Sequence, residues 1–115
     1  MWSVPLPRAA AAVAVGLCVL AVSQAAALSS GGDFYTLMDD AMARMHTGMH
    51  VGPSGDVDRD FARMMVPHHQ GAIDMAVLEL RFGHDARLRR LAQAIIVEQG
   101  QEIQLMQSIL TPRGN

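Results

Sequence analysis

The sequence predicts an all-α protein built as a small antiparallel helical bundle. Three segments repeat apolar residues at helical spacing, and glycine and proline residues fall between them. No stretch alternates polar and apolar residues over the length of a β-strand. Because the connections are short, neighbouring helices are expected to run antiparallel. Three helices either form the bundle alone or form one that a second copy completes as a dimer.

The first two helices have recognisable ends. The first is expected from Asp33, a candidate N-cap, to about Met49. A loop with two glycines and a proline follows at Val51–Gly55. The second helix is expected over Asp58–Phe82, with Gly83 as its C-cap.

The third helix follows after a tight turn. It is expected from its N-cap, Asp85, to about Leu110, where Pro112 prevents continuation. The second and third helices are then antiparallel about Gly83. Pro67 lies inside the second helix, where its missing N–H predicts a kink.

The N-terminal residues, 1–27, have the pattern of a cleaved signal peptide. Arg8 is the only charge before the apolar run Ala9–Val22, and small residues continue to Ala27. The run is short and rich in alanine for a membrane span. We therefore expect cleavage near Ala25 or Ala27 and a periplasmic or secreted protein.

The remaining single helical domain, residues 28–115, has an unusual supply of metal ligands. Cys18 lies in the leader, so the domain holds no thiol but eight methionines and five histidines. A thiol outside the cytoplasm is readily oxidised, whereas a thioether neither titrates nor forms disulfides.

The alternative to a cleaved signal peptide is an uncleaved membrane anchor formed by residues 9–28.

Charge and motif content exclude several classes of protein. Nine arginines and no lysine face eleven acidic residues, for a net charge of -2, which argues against a nucleic-acid partner. Contact with a membrane is expected only through the leader, if it is retained. No nucleophile elbow or phosphate-binding loop is present, so we expect a binding protein and not an enzyme.

A stripe of methionine and histidine follows the first predicted helix. Projected at about 100° per residue, four methionines fall within an arc of about 60°, with two histidines at its edge. They are Met38, Met42, Met45 and Met49, with His46 and His50. Methionine also fills ordinary cores, but leucine and isoleucine specify packing better, and packing does not require the histidines.

The second predicted helix repeats this composition. Met64, His68 and Met75 lie within about 40° of one another, and Met65 with His69 forms an adjacent row. A single buried histidine is usually a hydrogen-bonded core residue. Two adjacent histidines flanked by methionines on both rows favour a ligand site.

The third predicted helix carries Gln99 and Glu102 in an otherwise apolar stripe. The antiparallel pairing brings them near His68 and His69. Because a ligating imidazole normally donates its other N–H to an oxygen, Gln99 and Glu102 are candidates to orient these histidines.

Sulfur and nitrogen donors without cysteine favour Cu(I) and the chemically similar Ag(I). Zinc and calcium rarely use thioethers. A di-iron centre requires Glu-x-x-His pairs, and the sequence contains none.

The run MMVPHHQGAIDMA at Met64–Ala76, with Glu102, Ile103 and Met106 on the next helix, resembles the bacterial domain-of-unknown-function family 305. The resemblance implies an exported, ferritin-like helical bundle. Some members of that family bind copper or silver through methionine and histidine and assist copper resistance. Carried over by residue, the resemblance implies ligands at Met64, Met65, His68, His69, Met75 and Met106.

The sequence therefore predicts an exported Cu(I)- or Ag(I)-binding chaperone or sequestering buffer. Its expected partners are the metal ion, a copper exporter or cuproprotein, and a second copy of the chain. One alternative is a structural or interaction module whose methionines only fill a core. Another is a metal-dependent oxidoreductase on a ferritin-like scaffold.

Overall fold

The computed structural model describes residues 31–111 as three α-helices joined by two connections. Helix α1 occupies residues 31–49, α2 spans Val57–Phe82 and α3 spans Ala86–Leu110. The described part contains no strand, so the all-α prediction is confirmed. The predicted signal peptide, residues 1–27, lies outside the described residues, and its cleavage stays a prediction. Within the described range no helix has the length and hydropathy needed to cross a membrane.

The start of α1 differs from the prediction. Residues 31 and 32 are already helical, so Asp33 lies within the helix and is not its N-cap. Gly31 and Gly32 do not stop the helix, because a helical glycine costs only about 1 kcal/mol relative to alanine. The helix ends at Met49 as predicted, where Nδ1 of His50 lies 2.8 Å from the carbonyl oxygen of His46.

Side-chain caps fix the starts of α2 and α3. Asp56 caps α2 by accepting a hydrogen bond from the backbone N–H of Arg59, two residues before the predicted start of the helix. Asp85 caps α3, as predicted, by accepting from the backbone N–H groups of Arg87 and Leu88. These bonds satisfy N–H groups that the first turn of a helix leaves without a partner.

The cap at Asp85 predicts a pH dependence of stability. Its side-chain hydrogen bond with Arg87, assisted by backbone N–H donors, lowers the Asp85 pKa from 3.8 to about 2. A lowered pKa in the folded state stabilises the protein fully above the ordinary pKa, and this contribution is lost as the pH falls towards 2. We expect Asp85→Ala to lower the melting temperature by several degrees at neutral pH, with the difference shrinking below about pH 4.

Thermal melts followed by circular dichroism across this pH range test the prediction. Asp39→Ala is the control, because the Asp39 carboxylate is exposed on α1 and makes no hydrogen bond within the described range. A constant difference between Asp85→Ala and the parent down to pH 2 would contradict it.

Helix α1 packs antiparallel along one side of α2. Three pairs of residues define the contact, and their numbers run in opposite directions along the two helices. The pairs are Met45 with Gly71, Gly48 with Pro67, and Phe34 with Phe82. Pro67 thus packs against α1, and α2 continues as one helix through it.

Helix α3 packs on the opposite side of α2. The contact centres on a buried cluster of Ala62, Ile103 and Met106. Projected at about 100° per residue, the α2 residues that meet α1 and those that meet α3 lie about 180° apart. The compact unit that begins at Phe34 is therefore an open row with α2 in the middle.

The row encloses little apolar volume. Four of its seven buried apolar residues are alanines, and no large side chain in the described range is less than 2% exposed. The stripe that the sequence predicts around Gln99 and Glu102 on α3, which is Leu88, Ala92, Ile95, Gln99, Glu102, Met106 and Leu110, is only partly buried. Ala92 and Met106 are buried, but Leu88 and Glu102 are exposed. Because α3 has α2 as its packing surface, only a narrow stripe of it is covered.

Candidate metal-binding face

One side of the helical row, which we call the open face, carries most of the methionines. A groove of about 300 Å³ is lined by Met75 and Glu79 of α2 together with Leu88, Leu91 and Ile95 of α3. These stripes of the two helices therefore point to the same side. The same face of α2 continues through Phe61, Met64 and His68. On α3 the heptad positions after Ile95 are Glu98 and Glu102, both exposed, and then Leu105 and Ile109.

The stripe of α1 points to the same side. The contact residues of α1, Met45 and Gly48, face α2, and Met38, Met42 and Met49 lie about 50–90° around the helix from the centre of this contact. Because α1 runs antiparallel to α2, this rotation places Met38, Met42 and Met49 on the side of the row where Met64 and Met75 of α2 lie. The open face is defined by Met38, Met42, Met49, Phe61, Met64, His68, Met75, Leu88, Leu91, Ile95, Leu105 and Ile109.

The other side of the row is polar. There Arg44 of α1 pairs with Asp74 of α2 at 3.5 Å. The exposed residues Arg59, Gln70 and Arg81 follow the same side of α2. On α1 and α2, thioethers and basic side chains are thus separated onto opposite sides.

The register of α1 on α2 brings the methionines into two groups. The pairing of Gly48 with Pro67 places Met49 at the level of Val66, within one helical turn of both Met64 and His68. The pairing of Met45 with Gly71 places Met42 at the level of Met75. The first group offers two sulfur atoms and an imidazole, and the second offers two sulfur atoms.

His69 is held in the α2–α3 interface by two hydrogen bonds. Its Nδ1 lies 2.9 Å from the carbonyl oxygen of Met65, and its Nε2 lies 2.6 Å from Oε2 of Glu102. A carbonyl oxygen can only accept, so the contact with Met65 requires a hydrogen on Nδ1 of His69. Both ring nitrogens are therefore engaged within the protein. Glu102 does contact a histidine of α2, as the antiparallel register predicts, although it is exposed and does not lie in the core.

The remaining histidines differ in accessibility. The His68 ring is exposed 5.8 Å from the ring of His69, and neither of its nitrogens makes a hydrogen bond within residues 31–111. His46 lies at the edge of the open face with its ring also exposed. Nδ1 of His50 is engaged with the carbonyl oxygen of His46, at the end of α1. His68 and His46 are thus the imidazoles best placed to bind a ligand.

Several predicted ligands have packing roles. Met45 lies directly against Gly71, and Met106 is buried beside Ala62 and Ile103. Met65 is half-buried against the same cluster. Gln99 is half-buried on α3 near the level of His69 and Glu102, and no hydrogen bond joins it to either histidine of α2 within the described residues.

The donor atoms on the open face suit a soft metal ion. In the part of the chain that the structure describes, no group of three or more His, Cys, Asp or Glu side chains is placed to hold a metal. The side chains on this face that could bind a metal ion include the thioethers of Met64 and Met75 and the imidazole of His68. Thioethers combined with imidazole favour Cu(I) or Ag(I) over zinc, calcium or magnesium.

Two features of this face were not predicted from the sequence. Met38 was placed in the stripe but not among the candidate ligands, although the structure groups it with Met42. Leu91, Leu105 and Ile109 of α3 were overlooked, although they share heptad positions with Leu88, Ile95, Glu98 and Glu102. The signal was obscured because this row adjoins the buried stripe on the same helix.

Comparison with known proteins identifies the family. The model of a domain of unknown function, DUF305, matches residues 21–110, and the chain belongs to this family. It is also similar to the uncharacterized protein L153 of Acanthamoeba polyphaga mimivirus, with 39% identity over 56 residues. The match covers 49% of this chain and 37% of that relative, so the chain spans little more than a third of the relative's length.

Proposed function

We propose that this protein is an exported metal-binding protein that holds Cu(I) or Ag(I) on the open face. It acts as a chaperone or sequestering buffer and not as an enzyme. One observation carries the proposal: the methionine stripes of α1 and α2 lie on the same side of the helical row, a side that no helix of the described residues covers. The copper-binding members that the family resemblance implies support the same assignment.

The packing narrows the set of ligands. We propose Met49, Met64 and His68 as the first group, with His46 at its edge. Met42 and Met75, joined by Met38, form the second group. A two- or three-coordinate arrangement of sulfur and nitrogen suits a soft monovalent ion. Met45, Met65, Met106, His50 and His69 are left out, because packing or hydrogen bonds engage them.

The chemistry also suggests how the ion would leave. Ligands on an uncovered face are open to exchange with a second protein. The natural partners are therefore a copper exporter or a cuproprotein that offers stronger soft ligands. The hypothesis of a metal-dependent oxidoreductase is less favoured, since such a centre uses clustered carboxylates and histidines and the described residues hold no such cluster.

A competition assay with a chromophoric Cu(I) chelator tests the proposal. A variant carrying Met49→Leu, Met64→Leu and His68→Gln keeps the size of these side chains but removes the proposed donors. We expect it to lose at least about tenfold in Cu(I) affinity, equivalent to about 1.4 kcal/mol. Zn(II) should bind poorly to the parent. Affinity for Cu(I) should fall but persist between about pH 7 and pH 5, because protons compete for imidazole and not for thioether.

Met106→Leu is the matched control, because it removes a thioether that is buried in the α2–α3 core. It should bind Cu(I) as the parent does. If the triple variant binds Cu(I) as tightly as the parent and Met106→Leu, the open face is not a copper site. The methionines would then be packing residues of a structural module.

A further inference from the structure

The open face carries most of the readily oxidised side chains of the described helices. Residues 31–111 contain neither cysteine nor tryptophan, so their thioethers are the groups that a two-electron oxidant attacks first. Five of the eight methionines in this range lie on the open face, and all five are only half-buried. They are Met38, Met42, Met49, Met64 and Met75. A dissolved oxidant therefore meets these side chains at the surface of the folded protein.

The other three methionines are held in contacts between helices. Sδ of Met45 lies against Gly71 of α2, and Met106 is only 8% exposed in the α2–α3 core. Met65 packs on the same core cluster. Because the rate of oxidation depends on how well the oxidant reaches the sulfur atom, these three should react more slowly than the methionines of the open face.

Oxidation changes the donor character of a methionine. Hydrogen peroxide transfers one oxygen atom to the thioether, its O–O bond breaks, and the other oxygen leaves as water. The sulfur atom loses two electrons and becomes a sulfoxide. One of its lone pairs now forms the S–O bond, and the most exposed donor of the group is a hard oxygen atom. Cu(I) and Ag(I) prefer soft ligands, so a sulfoxide is a poor replacement for the thioether.

The proposed ligand groups have few donors, so each is sensitive to a single oxidation. The first has two sulfur atoms and one imidazole, and oxidation of Met49 or Met64 leaves it with two donors. The second depends on sulfur alone. At the open face water can solvate the sulfoxide oxygen, whereas oxidation of Met106 would place a polar group in the core. Selective oxidation of the open face thus removes ligands and keeps the fold.

We infer that the open-face methionines are a reversible modification site, at which oxidation to sulfoxides by a peroxide releases the bound Cu(I) or Ag(I). Reduction by a methionine sulfoxide reductase restores the site: two thiols of the reductant form a disulfide, and the sulfoxide oxygen leaves as water. The inference rests on the proposed function, because it describes how the same metal site is regulated.

Timed treatment of the metal-free chain with hydrogen peroxide tests the inference, since no bound copper is present to react with the peroxide. Peptide mass spectrometry should show that the five open-face methionines gain oxygen several times faster than Met106. At that stage circular dichroism should show unchanged helix content, and the chelator competition assay should show at least about a tenfold loss of Cu(I) affinity. Methionine sulfoxide reductases for both sulfoxide epimers should restore the affinity, once their thiol reductant is removed.

Met106→Leu is the matched control and should lose and regain affinity as the parent does. An oxidised chain that keeps its helices and its full Cu(I) affinity overturns the inference, and so does oxidation of Met106 as fast as Met64. A loss of affinity that accompanies loss of helix content also overturns it, because unfolding then explains the release. Failure of the proposed function is recognised before any oxidation, when the untreated parent binds Cu(I) no more tightly than the triple variant, and the inference then fails with it.

Discussion

A Gly71→Ala variant is expected to be less stable than a Gly100→Ala variant by about 1–3 kcal/mol. A Cβ atom on Gly71 would lie 2.7 Å from both Cβ and Sδ of Met45 on α1. The Cβ atom of Met45 is fixed to its backbone, so the two helices must move apart or Met45 must leave its position. Forcing extra volume into a packed contact costs about this amount.

Gly100 provides the matched control within α3. No heavy atom lies within 4 Å of a Cβ placed there, outside the atoms of its own helix and chain neighbours. Alanine should therefore stabilise the protein by about 0.4–1 kcal/mol, because it restricts the unfolded chain and favours the helix. Both variants share this gain, so the difference between them isolates the steric cost at the α1–α2 contact.

Chemical denaturation of both variants and the parent gives the two free energies of unfolding. Equal stabilities of Gly71→Ala and Gly100→Ala would show that α1 does not pack closely on α2. The same contact sets the distance between the stripes of α1 and α2. We therefore also expect Gly71→Ala, but not Gly100→Ala, to weaken Cu(I) binding.

Removal of the His69 side chain is expected to cost about 2–4 kcal/mol of stability. His69 is the one buried polar residue of the described part, and His69→Ala would lose its packing and both hydrogen bonds. Glu102→Ala should cost less, about 1–2 kcal/mol, because water can reach the exposed carboxylate position and partly replace it. Glu98→Ala is the control one turn earlier on α3 and should change stability by less than about 0.5 kcal/mol.

A double-mutant cycle separates the bond from the packing. The coupling between His69→Ala and Glu102→Ala should be about 1 kcal/mol or more, as expected for residues joined by a short hydrogen bond. Additive effects would show that the contact contributes nothing beyond the separate side chains. The Cu(I) affinity of Glu102→Ala adds a second readout: it should stay close to that of the parent if His69 is not a ligand.

Local sequence signals determined the helices. The N-cap at Asp85, the turn at Gly83 and the end of α1 at Met49 all follow from capping and periodicity, and the structure places them as expected. The predicted start of α1 was wrong. A residue that can act as an N-cap, such as Asp33, does not decide whether the helix begins there or earlier. The antiparallel register also follows from the sequence, because a short turn leaves no other pairing, and it brought His69 next to Glu102.

The division of the methionines and histidines between packing and exposed positions was not readable from the sequence. A methionine stripe has the same spacing whether a neighbouring helix covers it or not. Met45 lies directly against Gly71 of α2, whereas Met49, equally half-buried, projects towards the open face. His68 and His69 differ because α3 covers one side of α2.

The sequence by itself therefore determined the all-α class, most of the helix ends and the family's Met and His pattern, since these depend on neighbours along the chain. Only the tertiary structure decided that α1 and α3 lie on opposite sides of α2 and leave one face open. The direction in which each helix packs depends on contacts between distant residues, such as Met45 with Gly71 and Ala62 with Ile103. The packing direction of each helix decides which methionines and histidines are ligand candidates and which are core residues, because the burial of a side chain depends on what packs over it.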